Sequence, residues 1–275
     1  MQDLQKRFTV SASKALGQNF LVDANISRKI AESIEEKQNV IEVGPGIGSL
    51  TVPLARHSSK VFAIEFDQHI IDPLKDVLEQ FDVADQVEII HSDVMEVDLE
   101  KLCVENDIST IIGNLPYNIS APLLADIARK VPSAHTVVAM VQKEVGERLA
   151  ADQGTRSVSS ITLKCQYFMD IELLFNVSSQ SFIPRPRVDS LVLIMRRRAS
   201  QKFDLNTNEV NEMFTLMDSA FSQRRKMLRQ SLKSTFGSNL DLVFSDSGVD
   251  PTRRPEACTI EDFVKLFEAY RDSKV

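Results

Sequence analysis

The chain of 275 residues is 43% hydrophobic and 26% charged, a balance that fits an ordinary globular protein of one or two domains and excludes collagenous or low-complexity classes. No apolar run approaches the roughly 20 residues a membrane-spanning helix needs, and "MQDLQKRFTVSASKALGQNF" carries no apolar signal core, so a cytosolic protein without a membrane partner is expected. The net charge of −7 is uneven: residues 60–110 hold 14 Asp/Glu against 3 Lys/Arg, residues 182–233 hold 11 Lys/Arg against 5 Asp/Glu, and the basic stretch keeps nucleic acid open as a partner.

In chain order, the first patterned region runs from 39 to 141. "NVIEV" (39–43), "KVFAIE" (60–65), "VEII" (87–90), "STIIG" (109–113) and "HTVVAMV" (135–141) are short, β-branched and apolar, and predict buried strands. Helical patterns fill the gaps, over Ile70–Phe81 and Ala121–Lys130. Alternation of this kind predicts an α/β fold, a mostly parallel Rossmann-like sheet with helices on both faces. Two further runs, "IELLFNV" (171–177) and "SLVLIMRR" (190–197), are expected to pair antiparallel at the sheet edge. After about residue 200 the texture becomes that of an amphipathic helix pair, with Met213, Phe214, Met217 and Phe221 at three-to-four spacing. Gly237 and Gly248 read as helix stops, and Thr259 with Asp262 has the spacing of a capping box. The expected domains are therefore 1–199, carrying the sheet, and 200–275, small and all-helical. Cys103, Cys165 and Cys258 are widely spaced and the four histidines show no ligand spacing, so reduced cysteines and no metal are expected.

Chemistry-bearing residues cluster at strand ends. "IEVGPGIGSLT" (41–51) follows a strand and opens a helix, with Gly44 and Gly46 letting the backbone approach a ligand. Its GxGxG spacing is neither the dinucleotide fingerprint nor a phosphate-binding P-loop. Glu65 ends the next strand, where an acid can accept both hydroxyls of a ribose, and Asp93 follows the third, where a carboxylate can accept an adenine amino group. Either acid alone fits a solvated strand end; together they predict an adenosine-bearing cofactor with no pyrophosphate.

The fourth strand delivers "IIGNLPYNIS" (111–120). An adenine-like amine is a weak nucleophile because its lone pair is delocalised into the ring. The Asn114 side-chain oxygen and the Leu115 carbonyl can each accept one of its N–H groups, holding the nitrogen as it becomes tetrahedral without a strong base. Pro116 stiffens the turn and Tyr117 offers a stacking ring. Such a base must leave its helical stack or be unpaired. By itself the motif leaves DNA, RNA and a small molecule open. In "QSFIPRPRVDS" (180–190), Phe182 is expected as a second stacking surface and Arg185 and Arg187 as phosphate contacts.

Six stretches now resemble one family. "LGQNFL" (16–21), "EVGPGIGSLT" (42–51), "IGNLPYNIS" (112–120), "VQKEVGERL" (141–149), "FIPRPRVDS" (182–190) and "AFSQRRKMLRQSL" (220–232) are similar in order and spacing to the ribosomal RNA adenine dimethyltransferases of the bacterial small-subunit type. The resemblance implies S-adenosylmethionine as methyl donor and dimethylation of two adjacent adenosines in the 3′-terminal hairpin of 16S rRNA, within the 30S subunit or its precursor. It implies that Asn19 and Leu21 close over the cofactor, with Gly46 beneath its methionine part, Glu65 at the ribose, Asp93 at the adenine and Asn114 at the transfer site. It makes the helical C-terminal part an rRNA-contacting domain; within the basic stretch Arg224, Arg225, Lys226 and Arg229 are the expected RNA contacts, and a monomer is expected. The chain departs from the family's usual "YGxLSV" in "GTRSVSSIT" (154–162), and has "PRPRVDS" where "PPPKVDS" is more usual. The competing readings are a 23S rRNA adenine dimethyltransferase of the macrolide-resistance type, a DNA adenine methyltransferase, disfavoured by Leu115 where that class carries a second proline, and a non-catalytic assembly factor.

Overall fold

The computed structural model describes residues 19–200, 202–223 and 225–274. Two compact units are formed: one takes the chain up to Gly146 together with Met169–Arg197, the other Glu147–Phe168 together with the chain from Arg198 on.

The first unit is built on a seven-stranded sheet. Its strands are β2 (Asn39–Val43), β3 (Lys60–Glu65), β4 (Val87–His91), β5 (Ile108–Asn114), β6 (Thr136–Gln142), β7 (Met169–Val177) and β9 (Ser190–Arg197). They lie in the order β4-β3-β2-β5-β6-β9-β7. The five strands β2 to β6 run parallel; β9 pairs antiparallel with β6, and β7 antiparallel with β9, as the two apolar runs at 171–177 and 190–197 predicted. The sequence runs were so nearly continuous because both faces of the sheet are buried. Val40, Ala63, Ile112, Val138 and Ile194 pack with Leu54 and Leu74 from the helices Thr51–His57 and Gln68–Gln80. Ile41, Phe62, Ile64, Ile111 and Val137, of opposite parity, are also buried. Because parallel crossovers are right-handed, the step from β4 back past β2 to β5 moves the helices Leu99–Glu105 and Ser120–Lys130 to that second face. The same reversal opens a crevice between the carboxyl ends of β2 and β5, where open α/β sheets bind ligands.

A two-stranded antiparallel piece completes this unit. β1 (Phe20–Leu21) pairs with β8 (Phe182–Ile183), Leu21 opposite Phe182, and Val22 N–H continues the ladder to the Ser181 carbonyl at 2.9 Å. Two-residue strands have no readable period, so this pairing has no signature in the sequence.

The second unit is helical. Thr207–Phe221 packs against Ile260–Asp272 and against Ser160–Phe168, and Leu240–Ser247 against Ile260–Asp272. Both ends that glycine was expected to stop are stopped by it: Gly237 and Gly248 adopt positive φ at the ends of Lys233–Phe236 and Leu240–Ser247. The Thr259–Asp262 capping box is present, and a second one joins Asn206 to Glu209. The expected boundary near residue 200 followed chain order. The contacts instead group 147–168 with the helices, because Val158, Leu163 and Tyr167 enter their apolar core and Asp218 accepts 2.6 Å hydrogen bonds from Ser160 Oγ and Lys164 Nζ.

Candidate functional site

At the carboxyl ends of β2, β3 and β5 lies a cavity of about 330 Å³, within the range of small-ligand sites. Its floor is the glycine loop. Gly44 N–H extends the ladder to the Ile64 carbonyl at 3.0 Å. Gly46 then turns through φ +53°, and a Cβ there would stand 3.1 Å from the Phe20 ring, which packs over the loop beside Ile47 and Ile70. Only glycine combines that dihedral with that ring.

Glu65 lines the cavity and is 6% exposed. Its Oε2 accepts from Gly46 N–H at 3.1 Å and its Oε1 from Asp67 N–H at 2.9 Å. Burial raises its pKa, and the two N–H bonds offset part of that rise. The carboxylate is thereby locked in plane, shaping the glycine loop, with a lone pair left on each oxygen. Asp93 lines the cavity too; its Oδ1 accepts Met95 N–H at 2.9 Å, which leaves Oδ2 to a ligand. Phe66, beside Glu65, is 56% exposed and also lines it, an apolar ring of the kind a planar base covers. Two carboxylates and an exposed ring around one cavity fit an adenosine-bearing cofactor.

The fourth-strand motif borders the same cavity. Asn114 closes β5, and its Nδ2 donates to the Asn19 carbonyl at 3.1 Å. That bond fixes the amide's orientation and leaves Oδ1 as the free acceptor. Leu115 N–H is held by the Met140 carbonyl at 3.1 Å, its side chain is buried, and the Pro116 carbonyl accepts from Ile119 and Ser120 to close the turn. Tyr117, half-buried, lines the cavity with its hydroxyl 2.8 Å from Ser190 Oγ. Burial raises the phenol's pKa, and the Ser190 bond works against that rise. Leu21 lines the cavity from β1, and Asn19 from the position just before that strand.

The remaining expected residues are placed otherwise. Phe182 is 2% exposed, packs in the apolar core opposite Leu21 and does not line the cavity. In this arrangement it is a core residue that anchors its loop, not an open stacking face: the cross-strand pairing turns the ring inward. Arg185 is exposed but its Nε donates to Ser179 Oγ at 3.1 Å, while Arg187 is exposed beside it. In the helical unit Arg225 and Lys226 are exposed, and Arg229 pairs with Asp241 at 2.5 Å. Arg224 and the "LGQ" of "LGQNFL" lie outside the described residues.

Three contributors escaped the sequence reading. Phe20 covers the glycine loop and Ser190 holds Tyr117, and neither contact has a sequence signal, since both join residues far apart in the chain. Glu42 is a buried acid behind the glycine loop, 1% exposed, with its Oε2 unpartnered among the described residues. A lone acid in an apolar strand was its only signal.

Comparison with known proteins shows the family. The family model for ribosomal RNA adenine dimethylase matches residues 10–272. A protein of Enterococcus faecalis named ribosomal RNA small subunit methyltransferase A is 36% identical over 99% of this chain and 95% of its own length. Its namesake from Staphylococcus carnosus is 37% identical over 96% of this chain and 92% of that one. Among solved structures, a dimethyladenosine transferase from Plasmodium falciparum superposes with a TM-score of 0.74 at 25% identity, covering 93% of this chain and 98% of the other. The 23S rRNA methyltransferase ErmE, 22% identical with a TM-score of 0.67 over 92% of this chain and all of that one, shares the fold. A match of this extent, in order along nearly the whole sequence, places the chain in the ribosomal RNA adenine dimethylase family.

Proposed function

We propose that this chain uses S-adenosylmethionine to dimethylate the N6 amines of two adjacent adenosines in the 3′-terminal hairpin of 16S rRNA, in the small ribosomal subunit or its precursor. Relatives named for small-subunit methylation support the substrate. The observation that carries the chemistry is the Asn114 amide, pinned by Asn19 so that its oxygen borders the cavity that Glu65 and Asp93 line.

When bound, S-adenosylmethionine supplies an electrophilic methyl group. The chain's residues bind and orient. Glu65 offers one lone pair per oxygen to the ribose hydroxyls, and Asp93 Oδ2 accepts from the cofactor's adenine. Asn114 Oδ1 and the Leu115 carbonyl accept the N–H groups of the target amine, so its lone pair is drawn out of conjugation with the ring. Tyr117 stacks on the unpaired base, a contact that contributes about 1–3 kcal/mol per base. Arg185, Arg187, Arg224, Arg225, Lys226 and Arg229 supply phosphate contacts that set register rather than sequence.

Tritiated methyl transfer to unmethylated small subunits, followed by mapping of the labelled bases, tests this reading. The label is expected in 16S rRNA as N6,N6-dimethyladenosine. Asn114→Ala is expected to lower turnover on the order of 10²–10³-fold, the usual cost of losing one preorganised polar group, with subunit affinity unchanged. Label in 23S rRNA alone would move the chain to the macrolide-resistance type. Wild-type turnover by Asn114→Ala would overturn the chemistry.

A further inference from the structure

The stretch "VDS" (188–190) was carried by the resemblance without a task, and the structure gives it one. Ser190 opens β9 and is fully buried, paired on one side with Gln142 of β6 and on the other with Val177 of β7. Its backbone is therefore fixed from both flanks, and its hydroxyl is a rigid point in the sheet. That hydroxyl meets the phenol of Tyr117 at 2.8 Å. The turn at Pro116 fixes the tyrosine's backbone through the Ile119 and Ser120 N–H groups, but leaves the side-chain torsions of the ring free. The Ser190 bond holds the far end of the ring.

Stacking needs only an aromatic face, which phenylalanine would supply without a buried hydroxyl to satisfy. A tyrosine whose hydroxyl is spent on an interior serine is thus explained by orientation rather than by stacking. The neighbouring residue strengthens the clip. Asp189 Oδ1 accepts Ser179 N–H at 2.8 Å, and its carbonyl accepts Lys143 N–H at 3.0 Å. One dipeptide therefore ties down both the 115–119 turn and the start of the 178–190 loop.

We infer that Ser190 is a positioning residue for the target base, holding the Tyr117 ring in the plane that receives it. The inference rests on the stacking assigned to Tyr117 under the proposed function, and the following experiment separates the two. Wild type, Tyr117→Phe, Ser190→Ala and the double variant are compared for kcat and KM with unmethylated small subunits. S-adenosylmethionine affinity and the fluorescence of 2-aminopurine, placed at the target position of a hairpin RNA, are measured alongside. Each single change is expected to lower kcat about five- to tenfold, the worth of one hydrogen bond, and to weaken 2-aminopurine quenching. KM for the subunit and cofactor affinity are expected to stay near wild type. The double variant is expected to be no worse than the poorer single one, since both remove the same bond. Additive losses, or wild-type kcat and quenching in Tyr117→Phe, would overturn the inference. Tyr117→Phe sits on a half-buried turn and retains the ring, so it decides the matter even where Ser190→Ala folds poorly. Full activity in Tyr117→Ala would instead remove the stacking role itself. An inactive Tyr117→Ala beside a wild-type Tyr117→Phe would spare the stacking role and defeat only the Ser190 assignment.

Discussion

Glu42 shows how a single acid is made neutral by its surroundings. It sits on the same face of β2 as Val40, where burial pushes its carboxyl up to about 8 and the Glu65 carboxylate adds to the rise. An ionised carboxylate there would lack the water or cation that normally stabilises it, so the proton stays. The sign of the stability effect follows. Between the ordinary value of 4.5 and about 8 the folded chain holds a proton that the unfolded chain releases. The stabilisation is complete below 4.5 and is lost as the pH rises through about 8. Glu42→Gln keeps the shape and removes the titration. Urea unfolding at pH 5 and pH 8.5 is expected to show the wild type losing stability relative to Glu42→Gln by on the order of 2–4 kcal/mol across that interval. A constant difference would show that Glu42 is ionised in the folded state.

At the scale of elements, the approach of β5 to β2 is the tightest constraint on the crevice. Gly113 pairs with Val43, and a Cβ on it would lie 2.5 Å from the Val43 carbonyl oxygen. Backbone on both sides cannot yield as a side chain can, so Gly113→Ala is expected to destabilise the fold by about 1–3 kcal/mol. A thermal melt reads this as a lowered Tm; an unchanged Tm would mean that the strands separate without cost. The strands themselves were legible because two-sided burial writes them as short β-branched runs, and all five parallel strands fall within one or two residues of the sequence reading. The glycine loop, Glu65, Asp93 and the Asn114–Tyr117 turn were legible for a related reason: each stands at the end of such a run. Phe182 was not, because which way a loop phenylalanine faces depends on its pairing with Leu21 of β1, far away in the chain. The membership of 147–168 was hidden likewise, since Val158, Leu163 and Tyr167 find their core only after residue 200 is reached.

Over the whole chain, the basic stretch supplies less free charge than its composition suggests. Arg196 pairs with Glu172 at 3.3 Å, and Arg197 donates to the carbonyls of Ala128, Val131 and Ala134. Arg229 is matched by Asp241. Arg187, Arg225 and Lys226 stand exposed. Binding to rRNA is expected to weaken linearly with the logarithm of salt concentration, and replacing Arg225 and Lys226 by Ala to flatten that slope by about one to two. Filter binding over about a fourfold change in salt, from roughly 50 to 200 mM, reads the slope directly. A slope that both alanines leave untouched would place the phosphate contacts elsewhere.

The bond from Asn114 to the Asn19 carbonyl carries a lesson for protein engineers. A primary amide is nearly symmetric in shape, and a half-turn about its last torsion exchanges acceptor for donor. Held by Asn19, the group presents oxygen; released, it is free to present N–H and repel the amine it should receive. A transplanted Asn-Leu-Pro-Tyr turn would therefore remain inert unless the graft also brought the backbone of residue 19. The unit of transfer is a pair of segments 95 residues apart, not a four-letter motif.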